Sequence, residues 1–169
     1  ERWGYDWGFY RPVVELARRA RLRVLALNTP RELTRRAASE GLDELQDDDS
    51  LKLPEIDLDD EEHRAWFDKA THGHPTPASD KDRMYEAQVL WDETMADTAA
   101  KHLRGHVPMR QLIVLAGSGH CRDSAIPARL RRRIPVKVAS VHPVIQSAEA
   151  DPSHALEGFD YAFVMTPPD

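Results

Sequence analysis

The chain has 169 residues, 41% of them hydrophobic and 31% charged, which is the size of one domain built around one hydrophobic core. No apolar run approaches the roughly 18–20 residues that a membrane helix needs. The formal net charge of −6 argues against a general nucleic-acid binder, which presents a net basic field.

The chain begins on Glu1-Arg2-Trp3-Gly4-Tyr5-Asp6-Trp7, without methionine, and reads as the interior of a longer protein. Pro12, followed by Val13, Val14, Leu16, Ala17 and Ala20, predicts a helix opened by proline, with Tyr10 at its N-terminal end. Arg23–Asn28 predicts a short strand. Thr29-Pro30-Arg31-Glu32 then has the form of a capping box, so a helix follows, and Gly41 ends it. The acidic stretch Asp43–Asp60 reads as a surface loop. A helix over Glu61–Ala70 carries Trp66 and Phe67, with Glu61-Glu62-His63 on a solvated face, since no second histidine completes an H-E-x-x-H site. His72 and His74 fall in a proline-rich loop with no carboxylate at fixed helical spacing, and they suit a metal poorly.

The longest helix is predicted over Asp80–Leu103. Met84, Gln88, Trp91, Met95 and Thr98 share one face, and Tyr85, Val89, Asp92 and Ala96 form the adjacent stripe. Gln88 and Asp92 stand where an amphipathic helix would place leucine, and such breaks mark functional sites. Gln111–Ala116 is apolar without alternation, as in a central parallel strand covered on both faces, and ends in Gly117-Ser118-Gly119-His120. Ligands of open parallel sheets bind at the carboxyl ends of strands, and Gly117 and Gly119 leave room beside His120 for a bulky one. Further elements are a helix from Ile126 and strands over Val136–Val141 and Phe159–Met165. Cys121, the single cysteine, reads as a packed small residue. Arg129 and Arg131-Arg132-Arg133 read as a solvated helix end whose cations suit the C-terminal dipole. The order of elements predicts an α/β fold: one domain with a mostly parallel sheet and crossover helices on both faces.

Four segments together resemble one family. They are Trp7-Gly8-Phe9-Tyr10-Arg11-Pro12, Val24-Leu25-Ala26-Leu27-Asn28-Thr29-Pro30-Arg31, Ala87-Gln88-Val89-Leu90-Trp91-Asp92-Glu93-Thr94-Met95-Ala96, and Leu115-Ala116-Gly117-Ser118-Gly119-His120 with Ile126-Pro127 after it. They are similar, in order, to the ChaN-like iron-regulated lipoproteins, haem-binding members of the Tiki/erythromycin-esterase-like group. The resemblance implies a mixed α/β fold and a cell-envelope location. It also implies contact with the membrane only through a lipid anchor outside this chain, and haem held at a homodimer interface by tyrosine with histidine nearby. The family's upstream Gly-Glu-x-His motif has no counterpart in this sequence, so the chain reads as part of a larger family domain whose first strand is missing.

On this reading the iron ligands are sought among Tyr10, Tyr85 and His120, and the haem pocket among these with Gln88, Trp91, Asp92, Gly117 and Gly119. A phenolate is a hard anionic ligand suited to ferric iron, and Arg11 beside Tyr10 and Arg83 near Tyr85 would favour it. Tyr10 is preferred because it lies in the matching segment. The competing expectation is a metal-dependent hydrolase using His120 with Asp92 or Glu93 as ligand or base.

Overall fold

The computed structural model describes residues 5–73, 77–105, 110–145 and 156–166. Asp6 opens helix α1 (Trp7–Arg19) by accepting a 2.8 Å hydrogen bond from the Gly8 amide. Pro12 therefore sits inside the helix rather than at its start, because the aspartate cap acts six residues earlier than the proline. Helix α2 (Arg31–Glu40) ends at Gly41, whose φ of +99° suits glycine, and whose amide bonds Ala37 O at 3.0 Å. Thr29 does not cap α2. Its hydroxyl instead donates to Leu90 O at 3.5 Å, inside the protein.

The acidic stretch contains a short helix, α3 (Leu42–Gln46), where a loop is expected. Its two leucines, three apart, are buried with Ala37, Ala87 and Leu90, so apolar burial overrides the local charge. Helix α4 (Glu61–Ala70) has the predicted bounds, and the long helix α5 (Ala78–Leu103) starts two residues before the predicted one. Pro77 precedes α5, and no side chain caps it. Of its two stripes, Tyr85, Val89, Asp92 and Ala96 is the buried one, whereas Met84 of the other is exposed.

After α5 come α6 (Ser118–Cys121) and α7 (Ile126–Arg133), then strands β1 (Val141–Ile145) and β2 (Tyr161–Met165). The strands pair in parallel, with Val141 opposite Tyr161 and Ile145 opposite Met165. The main core joins α5 and α7 through Met95, Ala96, Ala99, Ala100, Leu103, Ile126, Leu130 and Ile134. Leu27, Leu112, Val114, Ala116, Val136 and Val138 pack against it.

The sheet differs from expectation. Residues 23–28, 111–116 and 136–140 lie against the core but form no hydrogen-bonded ladder, and β1–β2 is the sheet among the described residues. Among the described residues, the expected crossover helices on both faces of a sheet are accordingly not found. Gln111–Ala116 is covered on one face only: its even-numbered residues pack inward, while Ile113 is 83% and Leu115 64% exposed. An apolar run without polar alternation specifies two buried faces, and among the described residues one of them is left uncovered.

Candidate functional site

The long helix builds the site because Tyr85, Gln88 and Asp92 fall three, four and seven residues apart on one side of it. Across from them, the extended run 111–116 turns at Gly117 into α6. His120 N bonds Gly117 O at 2.9 Å, and this short turn presents the His120 ring to α5. His120 Nδ1 lies 2.6 Å from Asp92 Oδ1, and Gln88 Nε2 donates to Asp92 Oδ2 at 3.2 Å. The indole of Trp91 stands 5.0 Å from the His120 ring, centroid to centroid, and its buried Nε1 has no hydrogen-bond partner. Asp92 is fully buried, and the His120 side chain is 17% exposed.

Helix α4 supplies the other side. Asp60 caps it by accepting from the His63 amide at 2.9 Å, which fixes His63 one turn into the helix. His63 is not on a solvated face. It is completely buried, with Nε2 3.2 Å from Asp92 Oδ2, an ion-pair distance without hydrogen-bond alignment. Its Nδ1 lies 3.3 Å from the Tyr85 hydroxyl and 3.4 Å from Arg129 Nη2. The overlooked signal is its spacing: His63, Trp66, Phe67 and Ala70 form an i, i+3, i+4, i+7 stripe.

Arg129 likewise departs from the solvated helix end expected of it. It is buried, and its Nε lies 3.3 Å from Glu93 Oε1. Arg132 and Arg133 reach the same buried carboxylate at 2.8 and 2.6 Å. Arg131 keeps a surface role beside Asp123. A buried carboxylate must be paired, and three guanidiniums from α7 do this for Glu93.

Burial pushes the Asp92 carboxyl upward, but the hydrogen bond from His120, the close ring nitrogen of His63 and the nearby charges of His120 and Arg129 outweigh it and hold it below the ordinary aspartate value. Tyr85 moves the other way. Burial pushes its phenol up to about 12, against the lowering influence of Arg129 and Arg64. Arg83, expected to help ionise it, pairs with Asp80 instead. Burial also raises the Cys121 thiol, which donates to Ala116 O at 3.6 Å and behaves as a packed residue.

Gln88, Trp91, Asp92 and His120 are thus brought together, and Tyr85 joins them through His63. Tyr10 lies on α1, a helix with no buried residue, with its ring 6.2 Å from that of Tyr5. Of the two glycines, Gly119 is the closely packed one. A Cβ on Gly119 would stand 2.8 Å from Trp66 Cη2, so the position is filled by indole rather than left open for a ligand. A Cβ on Gly117 would meet only ordinary contact, with His120 Cδ2 at 3.7 Å. His72 is exposed, and His74 lies outside the described residues.

A second aromatic contact borders this cluster. The Arg122 guanidinium lies over Trp66 and Phe159 at 5.5 and 5.4 Å, and Gly158 sits so close that a Cβ would be 2.3 Å from Arg122 Nη2. The Asp123 amide bonds Gly158 O at 2.8 Å. Arg122 Nε is buried without a hydrogen-bond partner.

The donor set does not suit a hydrolytic metal centre. Asp92 is taken by His120, Gln88 and His63, and Glu93 by arginines, so neither is left to hold a metal or activate water. Among the described residues no three His, Cys, Asp or Glu side chains gather as a metal cage. What the arrangement offers an iron-bearing ligand is one imidazole oriented by a carboxylate, with the indole of Trp91 beside it. Among the described residues no helix is long and apolar enough to cross a membrane.

The model of the family described as haem-binding uptake, Tiki superfamily, ChaN matches residues 1–130. Neither a curated protein nor a solved structure matches the chain.

Proposed function

Because the chain belongs to the ChaN family of haem-binding uptake proteins in the Tiki superfamily, we propose that it binds ferric haem at the cell envelope for haem or iron uptake and handling. Tyr10 is the phenolate ligand in this reading, and His120 is the histidine of the site. The observation that carries it is the Asp92–His120 pair. A carboxylate accepting from Nδ1 fixes the ring, raises its basicity and leaves the Nε2 lone pair as the donor. Trp91 supplies an apolar wall beside it. Arg122 supplies a cation for a haem carboxylate.

Tyr85 is assigned a supporting role, since its hydroxyl is engaged inside the protein and its proton is held well above neutrality. Tyr10 sits in the first turns of α1, where the helix dipole favours an anion. When bound, ferric iron itself would supply the charge that keeps a phenolate deprotonated. A homodimer brings the exposed apolar residues of two copies together.

Titration with hemin followed at the Soret band tests this. The wild type is expected to give a saturable shift, weakened at least tenfold by His120→Ala and changed in band shape by Tyr10→Phe. Tyr85→Phe is expected to retain the wild-type band. No Soret shift with the wild type sinks the reading.

A further inference from the structure

We propose that His63, gripped by Arg129, is a positioning residue that decides which nitrogen of His120 carries the proton. The argument starts at Arg129. A guanidinium has donors only, so the His63 nitrogen it faces at 3.4 Å must present a lone pair. The Tyr85 hydroxyl adjoins that same Nδ1 at 3.3 Å, nearer than Asp60 O at 3.4 Å, and in this arrangement its one proton goes to Nδ1, so both neighbours of Nδ1 are donors. With Nδ1 unprotonated, the His63 proton is on Nε2, 3.2 Å from Asp92 Oδ2.

Asp92 Oδ2 then faces two donors, His63 Nε2–H and the Gln88 amide, and Oδ1, which can only accept, lies 2.6 Å from His120 Nδ1; the Gln88 amide also stands 3.0 Å from that Nδ1, but the carboxylate is the nearer group. His120 consequently carries its proton on Nδ1 and a lone pair on Nε2. The two histidines hold opposite tautomers, set in sequence from Arg129 through His63 and Asp92. Nothing in this chain of contacts is exposed until His120, so water does not compete for the carboxylate. The value of an Nε2 lone pair to iron rests on the haem reading above, whereas the tautomers themselves do not.

The test is nitrogen-15 NMR of the imidazole rings in the full chain, first without haem. The expected result is His63 protonated on Nε2 and His120 on Nδ1. Finding His63 protonated on Nδ1, or His120 on Nε2, overturns the proposal. His63→Leu is expected to convert His120 into a mixture of tautomers and to weaken hemin binding by about 10–100-fold. His63→Gln is expected to restore both, because its amide donates towards Asp92 while its carbonyl accepts from Arg129. An unchanged His120 tautomer in His63→Leu, or no rescue by His63→Gln, counts against it. If His63→Leu does not fold, the wild-type rings and His63→Gln decide. The expected tautomers in a protein that binds no hemin uphold the positioning role and reject the haem reading.

Discussion

Tyr85 and Asp92, two turns apart on one buried stripe, titrate in opposite directions for reasons the structure makes plain. Tyr85 has burial as its dominant influence, and its phenol rises from 10.0 to about 12. Its neutral form is therefore favoured by folding: the contribution is complete below pH 10, the unfolded value, and is lost as pH rises through 12. Spectrophotometric titration at the phenolate band is expected to show one tyrosine that ionises only near pH 12, absent from Tyr85→Phe. An ordinary titration near pH 10 for every tyrosine would contradict the placement. Asp92 behaves inversely, stabilising the fold above the ordinary aspartate range and losing that contribution as pH falls through its lowered value. The sequence signals Gln88 and Asp92 well, because polar residues interrupt an apolar face. It signals His63 poorly. Two glutamates before a histidine look solvated, and only the buried spacing with Trp66 and Phe67 reveals which side of α4 faces inward.

At the scale of elements, α5 and α7 are joined by apolar packing and by one buried carboxylate. Glu93 holds Arg129, Arg132 and Arg133, which stand on successive turns at the end of α7. Glu93→Gln removes the charge but not the volume, leaving Arg129 buried without an anion. The expected cost is about 3–5 kcal/mol, read as a lower denaturation midpoint in urea. A change under about 1 kcal/mol would show that solvent already relieves the cluster. The helices were legible because their signals are local: α4 keeps its predicted bounds, α5 shifts by two residues, and α2 stops at Gly41 as expected. The strands were not, because a strand's identity depends on neighbours far along the chain. Residues 23–28 and 111–116 have the right composition, yet they lack ladder partners among the described residues. The buried pairing of the α7 arginines is hidden in the sequence for a related reason, since their partner Glu93 lies on another element.

For the whole molecule, the most consequential surface is the uncovered side of the extended segments. Val24, Ile113 and Leu115 face away from the α5–α7 core, and Val141, Ile145, Tyr161 and Phe163 of the two strands are also more than half exposed. Exposed apolar side chains of this kind drive association where they meet a second apolar surface. Sedimentation velocity is expected to show concentration-dependent self-association, reduced by the double substitution Ile113→Lys and Leu115→Lys. A single species at every concentration would remove this surface as the dimer contact.

The grip of Gly158 and Phe159 on Arg122 bears on where the functional unit stops. Likeness to the family ends at residue 130, yet residues almost thirty positions later close around the segment that follows His120. Val136 and Val138 also fill the core on which α5 and α7 rest. The limit of family likeness is therefore not a seam in the protein. A gene cut at codon 130 would keep almost all the resemblance and lose one wall of the site it was cut to preserve.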